Sequence, residues 1–203
     1  MNSSQNLALL LFGLFLFGCH TDDVKNTYTI KGRVGYENDV LVIDPTLPDP
    51  FVVEKYITKV ILVLGDQVIA SSTDEDFEFK NLEEGKSYTI IPQSVKKGLK
   101  GTTALDFVIL RKYIQGIDEL NSWQRKIAAD VNQDNQINQT DLDLLYDCLI
   151  NTPCIATSFR FVTDDYDGNG AGFIDQFSIH QLRANTEINF LPIRLGDVNG
   201  SVY

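Results

Sequence analysis

Oxygen-bearing side chains fall at Asp130, Asn132, Asp134, Asn138 and Asp141, positions 1, 3, 5, 9 and 12 of a twelve-residue stretch that runs into an apolar, helix-periodic segment. A short loop that turns these side chains inward and adds the backbone carbonyl of Gln136 at position 7 supplies the six to eight oxygens that a hard divalent cation takes. The chemistry this spacing points to is calcium binding. Ile137, at position 8, turns the other way and into a core. Position 6 needs a sharp turn, and Asn135 is the non-glycine residue best suited to positive φ. Without an ion, three carboxylates and two amides would crowd one loop with nothing to neutralise them.

The loop needs a helix behind it and a partner beside it. Asp141 opens an apolar-periodic run, and Leu105-Asp106-Phe107-Val108-Ile109-Leu110 aligns with Thr140-Asp141-Leu142-Asp143-Leu144-Leu145. Two loop–helix units packed face to face follow from that repeat. Ser122 is placed to cap a linking helix over 123–129. Asp141 at position 12, where calmodulin-like hands carry Glu, together with the repeat, resembles a type I dockerin. That resemblance implies a cohesin-type partner, chosen at Ala104, Leu105, Arg111 and Lys112 and at Gln139, Thr140, Tyr146 and Asp147.

The first of the two loops departs from the pattern. Counting back from Asp106 as position 12 places Val95, Lys97 and Leu99 at positions 1, 3 and 5, and none is a calcium ligand. Gly196-Asp197-Val198-Asn199-Gly200 looks like the opening of such a loop. Lying against residues 101–106, it would let Asp197 and Asn199 complete a second site with Asp106; the alternative is an ordinary turn after a strand. Asp165, Asp167 and Asn169 match the front of a further loop, but Ile174 and Asp175 follow two residues too late, so a polar turn is the competing expectation.

Residues 27–94 alternate and are rich in β-branched residues, which predicts short antiparallel strands in a sandwich. Here Lys31-Gly32-Arg33 and Phe77-Glu78-Phe79-Lys80-Asn81-Leu82, leading to Tyr88-Thr89-Ile90, resemble a carboxypeptidase-regulatory-like module. Such modules are spacers or binding platforms, and the inserted segment 44–51 with its three prolines could carry recognition. Strands are also expected at 158–162 and 188–195, returning to the sandwich and clamping the helical unit. The expected fold is α+β and multidomain: a signal peptide at 1–18, a tether at 19–26, the Ig-like sandwich at 27–94, the dockerin-like unit at 95–155 and a strand-rich segment at 156–203.

Residues 7–17 form an apolar run too short to cross a bilayer and placed where the core of a signal peptide belongs. It ends at Leu16-Phe17-Gly18-Cys19, which resembles a bacterial lipobox and implies lipid anchoring through Cys19; an ordinary cleaved signal is the alternative. The acidic pair Asp22-Asp23 resembles the surface-export signal of Bacteroidetes lipoproteins, which points to the outer membrane and the cell surface. Cys148 and Cys154 are expected to bridge in an oxidising envelope, with free thiols as the alternative. A net charge of −11 argues against nucleic acid as a partner. No catalytic constellation is present: His20 sits beside the anchor, and His180 has no nucleophile in sequence context.

The expected function is therefore non-catalytic: a calcium-stabilised lipoprotein serving an outer-membrane nutrient importer, in which a TonB-dependent transporter and its lid lipoprotein capture oligosaccharides or peptides. The alternatives are a dockerin bound to a cohesin-type partner and a free-standing glycan- or peptide-binding lipoprotein.

Overall fold

A computed structural model describes residues 25–35, 58–94, 102–150, 159–168 and 175–200. The predicted features at Cys19, Cys154 and Asn169, the loop positions Val95, Lys97 and Leu99, and the segment 44–51 lie outside these residues. In chain order the elements are β1 (Thr27–Arg33), β2 (Thr58–Leu64), β3 (Gln67–Ser72), β4 (Asp76–Glu83), β5 (Tyr88–Ser94), α1 (Ala104–Ile114), α2 (Trp123–Ala129), α3 (Gln139–Ile150), β6 (Phe159–Thr163), β7 (Phe177–Ile179), β8 (Thr186–Glu187) and β9 (Phe190–Arg194). The content is α+β.

Among the described residues three sheets form, in the orders β4-β1-β8, β3-β2-β5-β7 and β6-β9. The first two meet over a shared core. Ile30, Phe77, Phe79 and Leu82 come from one, and Val60, Leu62, Tyr88 and Ile90 from the other. Alternation puts Phe77 and Phe79 inward on β4, but Leu82 is three residues further on. The β1–β4 register shifts between Tyr28 and Ile30, and Asn81 takes φ 58°. A bulge of this kind inserts a residue and re-phases the strand, which is how Leu82 regains the core. Fully burying each such Phe, Leu or Ile contributes about 1.5–3 kcal/mol.

Each of the two larger sheets takes an edge strand from the C-terminal segment. β7 pairs antiparallel with β5, and β8 pairs parallel with β1. The strand expected over 188–195 is shorter, and β8 precedes it as a separate piece. Between them Ile188 donates its N–H to the Lys31 carbonyl at 3.0 Å. That approach is so close that a Cβ on Gly32 would overlap the Ile188 carbonyl oxygen.

The β6–β9 pair joins the sheets to the helices. Phe161 and Phe190 enter the sheet core, with the Phe190 ring 6.3 Å from that of Phe77. Val162 and Ile193 pack instead on Ile127 and Ala128 of α2. A third cluster holds Leu110, Leu142 and Leu145 of α1 and α3 together with Leu195 and Val198 from just past β9. The C-terminal segment is thus built into every core of the molecule that the described residues show. No helix among them is long and apolar enough to cross a membrane.

Candidate metal centre and docking face

α2 ends at Ala129, and Asp130 follows as its C-cap; Ser122 Oγ caps the other end by accepting from Arg125 N–H at 3.3 Å. α3 starts at Gln139, which puts Asp141 in its first turn, where the positive end of the helix favours a carboxylate. The loop between the helices closes on itself through its own acids and amides. Asp130 accepts from the N–H groups of Asp134 and Asn135, both at 3.0 Å. Asp141 accepts from Asn132 N–H at 3.1 Å and from Asn138 N–H at 2.9 Å. Asp134 and Asn138 accept in turn from the N–H groups of Gln136 and Thr140 at 2.8 Å. Asn135 takes φ 64° and Gln133 φ 63°, the left-handed turns that bring these oxygens round. Ile137 packs on the helix core as its position demands.

The electrostatics suit a cation. Asp130 and Asp141 are fully buried. Desolvation pushes both carboxyls above the usual 3.8, although the Asn135 N–H and Arg160 oppose the shift at Asp130, and the N–H groups of Asn138 and Asn132 oppose it at Asp141. Like charge adds to both: Asp141 raises Asp130, and Asp134 raises Asp141. A divalent ion bound by oxygens relieves both the desolvation and the repulsion. The donor set fits calcium, with the side chains of Asp130, Asn132, Asp134, Asn138 and Asp141 and the carbonyl of Gln136 as the groups that would hold it.

One residue of this site has no signature in the sequence. Arg160 of β6 is 4% exposed, and its Nη1 lies 2.9 Å from Asp130 Oδ2. Its Nε donates to Asp175 Oδ1 at 3.1 Å, and Nη2 donates to Asn135 Oδ1 at 3.5 Å. A strand of the C-terminal segment therefore reaches into the back of the loop.

The other predicted site residues divide. Asp106 and Asp197 are fully buried, and Asn199 donates its N–H to Asp106 Oδ1 at 2.8 Å across 93 residues of sequence. Asp165 and Asp167 are exposed on the turn after β6, where Tyr166 between them packs edge-on against Trp123 at 5.0 Å. Cys148 is disulfide-bonded. His180 is exposed.

The helices also present an apolar surface. Leu105 and Val108 lie three residues apart on α1, Tyr146 and Ile150 four apart on α3, and each is between 45% and 58% exposed. The Tyr146 ring lies 5.7 Å from that of Phe107, where α1 and α3 meet. Ala104, Arg111, Lys112, Gln139, Thr140 and Asp147 are exposed as well.

Residues 101–149 match the family model of the dockerin type I domain. The match spans about a quarter of the chain and contains the whole of the loop just described. Dockerin type I domains bind calcium through loops of the EF-hand kind, and calcium is the cofactor of this unit. The dockerin match implies a cohesin-type partner. No curated protein and no solved structure matches the chain.

Proposed function

We propose that the chain is a non-catalytic, calcium-dependent docking protein whose dockerin unit presents the exposed faces of α1 and α3 to a cohesin-type partner. The observation that carries this reading is the placement of Leu105, Val108, Tyr146 and Ile150. Four large apolar side chains stay in solvent on two helices whose first turns hold the buried acids Asp106 and Asp141. Each helix thus carries a pair of exposed apolar side chains one turn apart, and neighbouring exposed apolar side chains of this kind favour an interaction site. Calcium at Asp130, Asn132, Asp134, Gln136, Asn138 and Asp141 fixes the start of α3 and with it the spacing of the face. Because only the folded loop assembles these ligands, calcium stabilises the unit by mass action. The strands of residues 27–94, as a regulatory-like sandwich, serve as a spacer.

The test is surface plasmon resonance of the full chain against cohesin-type domains. Binding in calcium that disappears in chelator supports the reading; equal responses in both, or none in either, oppose it.

A second reading places the docking event at an outer membrane, with the chain as an accessory subunit of a transporter-based nutrient importer. The lipobox-like Leu16-Phe17-Gly18-Cys19 and the acidic pair Asp22-Asp23 favour it. Metabolic labelling with an alkyne fatty acid, compared between the parent and Cys19→Ala, tests the anchor on which it depends.

A further inference from the structure

We infer that the C-terminal turn 196–200 supplies the front half of a second calcium loop whose back half is residues 103–106, so that one cation ties the start of the dockerin unit to the C-terminal segment. The inference rests on calcium binding at the contiguous loop and extends it to residues outside the matched family region.

The two sites correspond at positions 1 to 4, 9, 10 and 12. In the contiguous loop, position 12 is Asp141, which accepts from the N–H of position 3, Asn132, at 3.1 Å and from that of position 9, Asn138, at 2.9 Å. In the split loop, position 12 is Asp106, which accepts from the N–H of position 3, Asn199, at 2.8 Å and from that of position 9, Thr103, at 2.8 Å. At position 4 the N–H of Gln133 returns to the Asp130 carbonyl at 3.3 Å with φ 63°, and the N–H of Gly200 returns to the Asp197 carbonyl at 3.3 Å with φ 70°. Each helix begins at position 10, Gln139 in α3 and Ala104 in α1.

Burial follows the same equivalence. Positions 1 and 12 are fully buried carboxylates in both sites. Position 2 is a buried valine in both, Val131 and Val198, and four residues past position 12 stand the fully buried Leu145 and Leu110. All four of these apolar residues belong to one cluster. The turn is held from outside as well. Gly196 N–H donates to the Ala128 carbonyl at 2.8 Å, and Arg125 Nε donates to the Val198 carbonyl at 2.6 Å. Asp197, Asn199 and Asp106 therefore occupy the places of Asp130, Asn132 and Asp141, with the oxygen chemistry that calcium takes. What differs is connectivity: the front of this loop comes from beyond β9 instead of from the residues that precede α1.

Calcium stoichiometry of the full chain, read by native mass spectrometry and by isothermal titration, tests this. Asp197→Asn is isosteric and is expected to bind one calcium fewer than the parent, while Asp130→Asn loses a different single equivalent and the double variant loses two. Asn199→Ala keeps the backbone N–H to Asp106 and is expected to weaken the Asp197-dependent equivalent by about tenfold. Unchanged stoichiometry in Asp197→Asn, or unchanged affinity in Asn199→Ala, overturns the split site. Unchanged stoichiometry in Asp130→Asn would instead overturn the contiguous one.

Discussion

Arg160 Nη1 and Asp130 Oδ2 lie 2.9 Å apart, with 4% and 0% of their side chains exposed. The pair links a strand that packs on the sheet core to Asp130, thirty residues earlier, at the start of the loop proposed to hold calcium. The guanidinium against Asp130 joins the loop and the C-terminal strands into one unit.

Removing that guanidinium should therefore cost more without calcium than with it. Arg160→Met leaves Asp130 buried without its ionic partner, a loss of about 3–5 kcal/mol for a broken buried pair. Calcium restores a positive charge to the site. Urea denaturation of parent and variant, in calcium and in chelator, should show the larger difference in chelator; an equal or smaller difference there would mean that Arg160 and the ion do not share Asp130.

The raised carboxyls of Asp130 and Asp141 set a pH dependence with a definite sign. Folded-state values above the unfolded value of 3.8 mean that the calcium-free fold takes up protons more readily than the unfolded chain. Their contribution to stability is fully present below 3.8 and is lost as pH rises through the folded values. Calcium needs both groups ionised, so its affinity should weaken as pH falls through the same window. Titrations from neutral to mildly acid pH should show tighter binding at the higher pH, with proton release on binding.

Much of this site was legible because its parts are close in sequence. The ligand register of 130–141, Asn135 at the left-handed turn and Ser122 at the helix cap are local patterns, and local patterns carry local geometry. The likeness of Gly196-Asp197-Val198-Asn199-Gly200 to the opening of a calcium loop was visible as well. Arg160 was not, because a guanidinium on an alternating strand looks like any solvent-facing charge until the partner strand is placed. β7 and β8 are only three and two residues long, too short for a period to register. The parallel pairing of β8 with β1 depends on a close approach at Gly32 that no periodicity encodes.

Gly32 offers a test of that approach. Gly32→Ala places a methyl group against the Ile188 backbone, where relief requires the chain between β8 and β9 to move. Overpacking of this kind costs typically 1–3 kcal/mol. A thermal melt should show a clear loss, and hydrogen exchange should show reduced protection at the Ile188 amide; unchanged protection would place the backbones further apart than described.

The docking face should be separable from the metal. Leu105→Glu changes an exposed side chain, so stability should move within about 0.5 kcal/mol, whereas Tyr146→Glu also removes the ring contact with Phe107 and should cost about 0.5–1.5 kcal/mol. Calcium stoichiometry should match the parent while partner binding is lost. A calcium deficit in either variant, measured by native mass spectrometry, would mean that the face and the loops are not independent.

The most direct measurement of the central claim is capture of the full chain with a cohesin-type partner, run in calcium, in chelator, and in calcium with Tyr146→Glu. A calcium-dependent docking protein co-elutes with its partner in the first condition and loses it in the other two. An identical set of co-eluting proteins in all three, or the chain alone in all three, would contradict the account.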